Sequence, residues 1–373
     1  MRRAFLALLL LGALSVNAGE NAWTSVGPLP IGSYRGFAAD PMDANTVYVA
    51  TTGLPGVWRS RNRGATWENV GVGTALESAG LIQQVMIDPV NSSHLLVLSF
   101  SGFHQSFDSG AHWLPASFMS SSFFAGGAEA FATSRDLRVV YVALTNFCLF
   151  GCSFGGVVKS TDGGSTFKKA GLNDQNVHYV AADPFDANRA YAITVDKDWI
   201  GRVQRTVDGG GHWTALSPIL NLLNSGARLM VDPTDPHTLY LATSEGLRIS
   251  NNSGDTWSLR RDAPFTLISA FAADPRSPTI IYAATPGEAP APPGLPGLPP
   301  PPPPTPALVG IIQTTDRGQT WTPVLKDPLP EDARRFALTD VHVDATRMTF
   351  YQLGAAGLYQ FTIRASRRRP AKP

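Results

Sequence analysis

Seven markers punctuate this chain at positions 40, 88, 134, 183, 232, 274 and 344, and five residues before them stand Arg35, Gln83, Glu129, His178, Ala227, Ser269 and Thr339. A guanidinium, an amide, a carboxylate and an imidazole thus occupy one position in four consecutive units, and Arg228 and Asp340 follow one residue later in two others. Gathered at one opening, these groups would hold a polar ligand. Glycoside hydrolysis would ask for two carboxyl groups ~5–10 Å apart. The candidate pairs are Glu129 with Asp340 and Glu77 with Asp332, and spacing alone sets neither at that distance. Cys148 and Cys152 are the two cysteines of the chain. In an exported protein a local disulfide between them is the expectation. Two cysteines alone do not make a closed zinc site, so neither a metal nor a cofactor is expected.

The markers are the ends of strands. Ala38-Ala39-Asp40-Pro41 leads to Tyr48-Val49-Ala50, Met86-Ile87-Asp88-Pro89 to Leu96-Val97-Leu98, and Ala181-Ala182-Asp183-Pro184 to Tyr191-Ala192-Ile193. The same pairing recurs at Asp232-Pro233 and Asp274-Pro275, while Ser134 and Asp344 keep the spacing without the proline. Proline stops a central strand because it has no N–H to give, and Tyr-x-Ala opens the next one. Three residues before the markers stand Phe37, Val85, Phe131, Val180, Leu229, Phe271 and Val341, an apolar set read as core between units.

A second element follows the second strand of the first six units. Ser160-Thr161-Asp162-Gly163-Gly164-Ser165-Thr166-Phe167 is its fullest copy, and variants stand at Ser60 to Trp67, Ser106 to Trp113, Thr206 to Trp213, Ser250 to Trp257 and Thr314 to Trp321. The third-position residues Asn62, Asp108, Asp162, Asp208, Asn252 and Asp316 are suited to accept backbone N–H groups in an Asx-type turn. The glycine two positions on suits a positive φ, and the closing aromatic opens a strand. A repeat near 45 residues with four strand signals predicts a propeller.

This pattern resembles the Asp-box, or BNR repeat, of the β-propeller superfamily that includes sialidases, sortilin-type receptors and xyloglucan-cleaving glycosidases. The nearest single-domain resemblance is the photosystem II assembly factor-like family. The resemblance implies a structural role for the six turns and is nearly silent on activity. Sialidases carry an Arg-Ile-Pro-type motif near the start, where this chain has Tyr34-Arg35-Gly36.

The expected fold is all-β: a seven-bladed propeller of four-stranded antiparallel blades over residues 19–363, closed by an N-terminal strand at Trp23 to Gly27 that completes the last blade, with six or eight blades as the alternatives. Residues 286–306 form a proline-rich insertion in the sixth unit, of extended polyproline character. The tail 364–373 is basic and expected to be disordered. Met1-Arg2-Arg3, the apolar run Ala4 to Leu14 and Val16-Asn17-Ala18 read as a secretory leader covering residues 1–18. With it removed, the balance becomes 28 basic to 29 acidic residues, with no basic stripe for nucleic acid. No later segment is apolar enough to cross a bilayer. These readings point to an exported monomer, periplasmic or secreted, acting as a non-catalytic binding or assembly scaffold for a protein or glycan ligand. The alternative is a glycoside hydrolase, sialidase- or xyloglucanase-like, acting on extracellular glycans.

Overall fold

The computed structural model describes residues 24–26, 34–43, 45–51, 56–100, 102–118, 127–145, 155–198, 200–221, 227–243, 246–260, 268, 270–274, 277–285, 310–324, 347–354 and 357–364. Residues 1–18, read above as a leader, Trp23, Cys148, Cys152, the proline-rich segment 286–306, Asp332, Asp340 and residues 365–373 of the basic tail lie outside them.

The described chain is a propeller of antiparallel blades, each taking its strands A to D in chain order. Blade 1 is Tyr34–Ala39, Val47–Thr51, Val57–Ser60 and Glu68–Asn69. Blade 2 is Ile82–Asp88, Asn91–Ser99, Gly102–Ser106 and Leu114–Pro115. Blade 3 is Ala128–Thr133, Val140–Leu144, Gly156–Ser160 and Thr166–Lys169, with Ser117–Phe118 added in parallel along the last of these. Blade 4 is Asn176–Ala182, Ala190–Val195, Ile200–Thr206 and Thr214–Asn221. Blade 5 is Arg228–Asp232, Asp235–Thr243, Gly246–Ser250 and Ser258–Arg260, and blade 6 is Ala270–Asp274, Ser277–Thr285, Gly310–Thr314 and Thr322–Pro323.

The expected count of seven four-stranded blades is corrected to six. What remains is a three-stranded sheet, in which Arg347–Gly354 pairs with Gly357–Arg364 and Thr24–Ser25 lies along the latter. The physical reason is visible in the last unit, which carries neither the Asp-Pro stop nor a repeat turn. Its two strands run as one uninterrupted hairpin from Arg347↔Arg364 to Gly354↔Gly357. The N-terminal segment adds two paired residues, Thr24↔Gln360 and Ser25↔Tyr359. Arg347–Gly354, read from sequence as a second strand, is the one that approaches strand A of blade 1.

Strand B is sandwiched by blades on both sides, so it is apolar on both faces. Val47–Thr51, Val140–Leu144 and Ala190–Val195 are buried throughout. Tyr48, Tyr141, Tyr191, Tyr240 and Tyr282 are the largest fully buried side chains. A buried phenol needs a partner, and the hydroxyls of Tyr48 and Tyr141 donate to the carbonyls of Ser109 and Ala187 in the next blade (3.2 and 2.8 Å). The hydroxyls of Tyr240 and Tyr282 donate to the carboxylates of Asp232 and Asp274 (2.8 and 3.2 Å). These marker aspartates do more than end a strand. The Asp40, Asp88, Asp183 and Asp232 carboxylates accept the N–H two residues on at 2.7–2.9 Å, closing the turn to strand B. Among the apolar residues three before the markers, Phe37, Val85, Phe131, Val180 and Leu229 are buried and Phe271 packs against the core, while Val341 lies outside the described residues.

Each repeat turn is a closed hydrogen-bond set. The first-position hydroxyl of Ser60, Ser106, Ser160, Thr206, Ser250 and Thr314 donates to the third-position oxygen at 2.7–2.9 Å and accepts the N–H of the glycine at 2.7–2.9 Å. That third-position oxygen accepts the N–H four residues on at 2.8–2.9 Å in all six turns. The turn reverses through two residues at positive φ. Arg63, Ser109, Ser253 and Arg317 take 56–59° at the first, where blades 3 and 4 use Gly163 and Gly209. Gly164 and its counterparts take 80–101° at the second, and a Cβ on Gly164 would run into the Phe103 ring of the preceding blade. Asn in place of Asp, and His in place of Thr, leave the geometry intact. Asn62 donates to the Thr66 hydroxyl (2.8 Å), and His112 Nδ1 lies 2.6 Å from Asp108.

Candidate functional site

The two ends of the ring are distinct. Five of the six repeat turns donate an N–H to the strand A–B turn of their own blade, as Arg63 to Asn45 (2.9 Å) and Gly209 to Asn188 (2.8 Å), so both turn sets share one end. Strand A therefore enters from the other end, here called the mouth. The strands A of successive blades lie side by side around the axis.

At the mouth the structure explains why the residue five before the marker is special. Arg35, Gln83, Glu129 and His178 are each the extra, unpaired residue of a β-bulge. Tyr34 pairs with Thr51 and Gly36 with Ala50; Ile82 with Ser99 and Gln84 with Leu98; Ala128 with Leu144 and Ala130 with Ala143; Val177 with Thr194 and Tyr179 with Ile193. A bulge bends its strand and re-aims the side chain of the inserted residue, which is why bulges gather beside sites. Ala227 lies directly before strand A of blade 5, and Ser269 and Thr339 lie outside the described residues. Of Arg35 only the backbone is described.

Glu129 is exposed, whereas Gln83 and His178 are half-buried. The Thr145 hydroxyl reaches Glu129 Oε1 at 3.5 Å. Glu129 and His178 feel one another across the seam between blades 3 and 4. Burial pushes the His178 imidazole below its ordinary range, and the Glu129 charge opposes that shift without cancelling it. Arg228 is turned to a different use, its guanidinium 5.6 Å above the Tyr179 ring of blade 4. Asp340 and Asp332 lie outside the described residues, so neither proposed carboxylate pair is assembled here. Glu77 accepts the Gly73 N–H (3.0 Å) in a short 3-10 turn leading to blade 2.

Sequence reasoning missed the neighbours that fix this rim. Gln84, one residue after a bulge, accepts the Phe131 N–H (3.0 Å) and donates to the Phe131 carbonyl (3.3 Å), tying strand A of blade 2 to that of blade 3. Its counterpart in blade 4, Tyr179, also reaches the next blade, there by its ring beneath the Arg228 guanidinium. Phe100, 38% exposed, stands at the rim over Gly127, directly before strand A of blade 3. A single position after the bulge residue, compared across units, carries the signal for the first two. Hydroxyls at the end of strand B hold the mouth backbone: Ser99 donates to the Gly102 carbonyl (2.9 Å) and Thr243 to that of Gly246 (3.0 Å).

No protein-family model matches the chain. Xyloglucanase Xgh74A of Acetivibrio thermocellus is 34% identical over 95 residues, which is 22% of this chain and 11% of that protein. The chain thus spans about a tenth of the length of the curated relatives it matches. It superposes on YCF48 bound to D1 peptide, with TM-score 0.59 and 12% identity, covering 93% of this chain and 98% of that one. YCF48 from Cyanidioschyzon merolae gives 0.56 and 14%, covering 92% and 98%. The chain is a β-propeller. At these identities the likeness speaks for the fold. Among the described residues no helix is long and apolar enough to cross a membrane, and no group of three or more His, Cys, Asp or Glu could hold a metal.

Proposed function

We propose that this chain is an exported, non-catalytic binding scaffold that holds a polar polypeptide segment at the mouth of its ring. The observation that supports the reading is the run of four bulges whose inserted residues are Arg35, Gln83, Glu129 and His178, at equivalent backbone positions of four adjacent blades. Such a mixed set can pair with backbone and side-chain groups of both signs, and loops on a rigid scaffold are where binding is usually carried. YCF48, the propeller of matching size, is described bound to a peptide. Export rests on the leader pattern of residues 1–18, and the six turns are read as Asp-boxes of the BNR type. The test is selection of phage-displayed peptides on the full chain, followed by counter-screening on Arg35→Ala/Glu129→Ala/His178→Ala. Selected peptides should be lost on the triple variant, and undiminished retention would sink the proposal.

A second reading has one specific observation behind it, the 95-residue stretch shared with a xyloglucanase. A panel of chromogenic glycosides decides it. Turnover that disappears in Glu129→Gln would install a glycosidase in place of the scaffold.

A further inference from the structure

One seam of the ring departs from the others. Three residues after the aromatic of each repeat turn stand Val70, Ala116, Ala170, Leu216, Arg260 and Val324: five aliphatic side chains and one arginine. In three of the aliphatic seams this side chain forms the floor for the turn glycine of the next blade, Val70 for Gly110, Ala170 for Gly210 and Leu216 for Gly254, while in the Ala116 seam the Phe103 ring takes that place under Gly164. Between blades 5 and 6 that packing is missing. Gly318 rests instead on Ile249 and Tyr240, and a cavity of about 250 Å³ opens beside it, lined by Asp235, Thr238, Asn251, Ser258, Arg260 and Arg317, with Ile249 and Gln319. Since water takes about 30 Å³ per molecule in the liquid, the space admits a ligand of several heavy atoms.

The lining is chemically uneven. Arg317 Nη1 lies 3.2 Å from Asp235 Oδ2, and the Thr238 hydroxyl donates to the same oxygen at 2.9 Å. Burial works against the Asp235 charge, but the His237 N–H, the Thr238 hydroxyl and Arg317 together hold its carboxyl below the ordinary range. Arg317 is thus compensated. Arg260 has no ion pair among the described residues, and its buried Nε has no hydrogen-bond partner among them. An unpaired guanidinium donor shielded from water is costly, and a carboxylate fits its planar fork with two parallel hydrogen bonds.

We propose that the seam between blades 5 and 6 is a binding site for a carboxylate, gripped by Arg260 with Arg317, Ser258 and Asn251 at its rim. It lies at the repeat-turn end, away from the mouth, so the two sites stand or fall separately. The test is calorimetric titration of the full chain with succinate, with N-acetyl-aspartate amide as a peptide-like carboxylate, with neutral succinamide and with inorganic phosphate. Binding of succinate or the aspartate derivative at about 1 mM or tighter, with silence from succinamide, is the expected result, and the preference between the two tells a free acid from a peptide-borne one. Arg260→Val, which installs a residue of the sister seams, should weaken binding by about tenfold or more while raising or preserving Tm. Arg317→Gln, at an exposed position, provides a second variant with an expected smaller loss. No heat from either carboxylate, equal binding of succinamide, preference for phosphate, or undiminished affinity in Arg260→Val would each overturn the assignment.

Discussion

At the repeat-turn end, six turns use the same hydrogen bonds at nearly the same lengths, and the first-position hydroxyl and third-position oxygen of the motif bond inside it every time. At the mouth, four equivalent bulges carry four different side chains, and the residue after each bulge differs as well. The contrast follows from what each end must satisfy. A turn at two successive positive φ values holds glycine at the second of them in all six copies, and it needs its orphan N–H groups capped. A bulge only has to exist, since its extra side chain is free of the ladder. Stability should therefore be concentrated at one end and ligand choice at the other.

The largest effect should come from Gly164→Ala. The residue sits at φ 95° and faces the Phe103 ring, so the change combines a left-handed conformation with a clash across a blade seam. A loss of about 2–4 kcal/mol is expected in urea unfolding, with ligand capture by the folded fraction unchanged. A loss under half a unit would mean the turns are not the stable end. Gln84→Ala comes next. It removes both hydrogen bonds to the Phe131 backbone (3.0 and 3.3 Å) beside the mouth, and about 1–3 kcal/mol is expected. A large effect there sharpens the contrast, because it separates the residue that builds the rim from the bulge residue beside it.

Acid should read the turn end more gently. The Asp108 carboxyl is held down to about 2 by the His112 N–H first and the His112 side chain second. A depressed carboxyl contributes stability that is complete above its unfolded value, 3.8, and is lost as pH falls toward about 2. Asp108→Asn keeps the accepting oxygen, as Asn62 and Asn252 do in their own turns. Its Tm should match the parent above pH 5 and fall less steeply between pH ~4 and ~2. An unchanged acid limb would show that the charge on this exposed turn is idle.

What was legible beforehand follows the same division. The six turns could be read because Ser/Thr, Asp/Asn and Gly are dictated locally by Asx geometry and positive φ. The Tyr-x-Ala strands could be read from their fixed distance after the markers, while the full burial of their tyrosines emerges only in the packed ring. The blade count failed where the local rule lapsed, in a last unit with neither Asp-Pro nor turn, whose long hairpin obeys no repeat. The bulges were invisible, since an extra residue in a strand leaves no mark on composition. The position they occupy was found only because Arg35, Gln83, Glu129 and His178 share one offset. Arg260 went unnoticed for the opposite reason: it is one departure in a column of aliphatics, and its meaning depends on the seam above it.

The smallest effect tests whether the mouth is one place. Glu129→Gln keeps shape and leaves stability within about 0.5 kcal/mol, since the side chain is exposed. Its consequence should appear instead on His178, one blade away. Burial disfavours the imidazolium and drives the His178 pKa down, while the Glu129 charge favours the imidazolium and resists. Removing that charge leaves burial unopposed, so the imidazole should titrate lower still, followed through its ring proton shifts by NMR. Because the folded value already lies below the unfolded one, stability tied to His178 is intact above pH 6.5 and declines as pH falls beneath it, and the variant should carry that decline further. A His178 titration that stays put or moves up would mean the two residues do not share a field, and four bulges on four blades would then be four separate features of the rim.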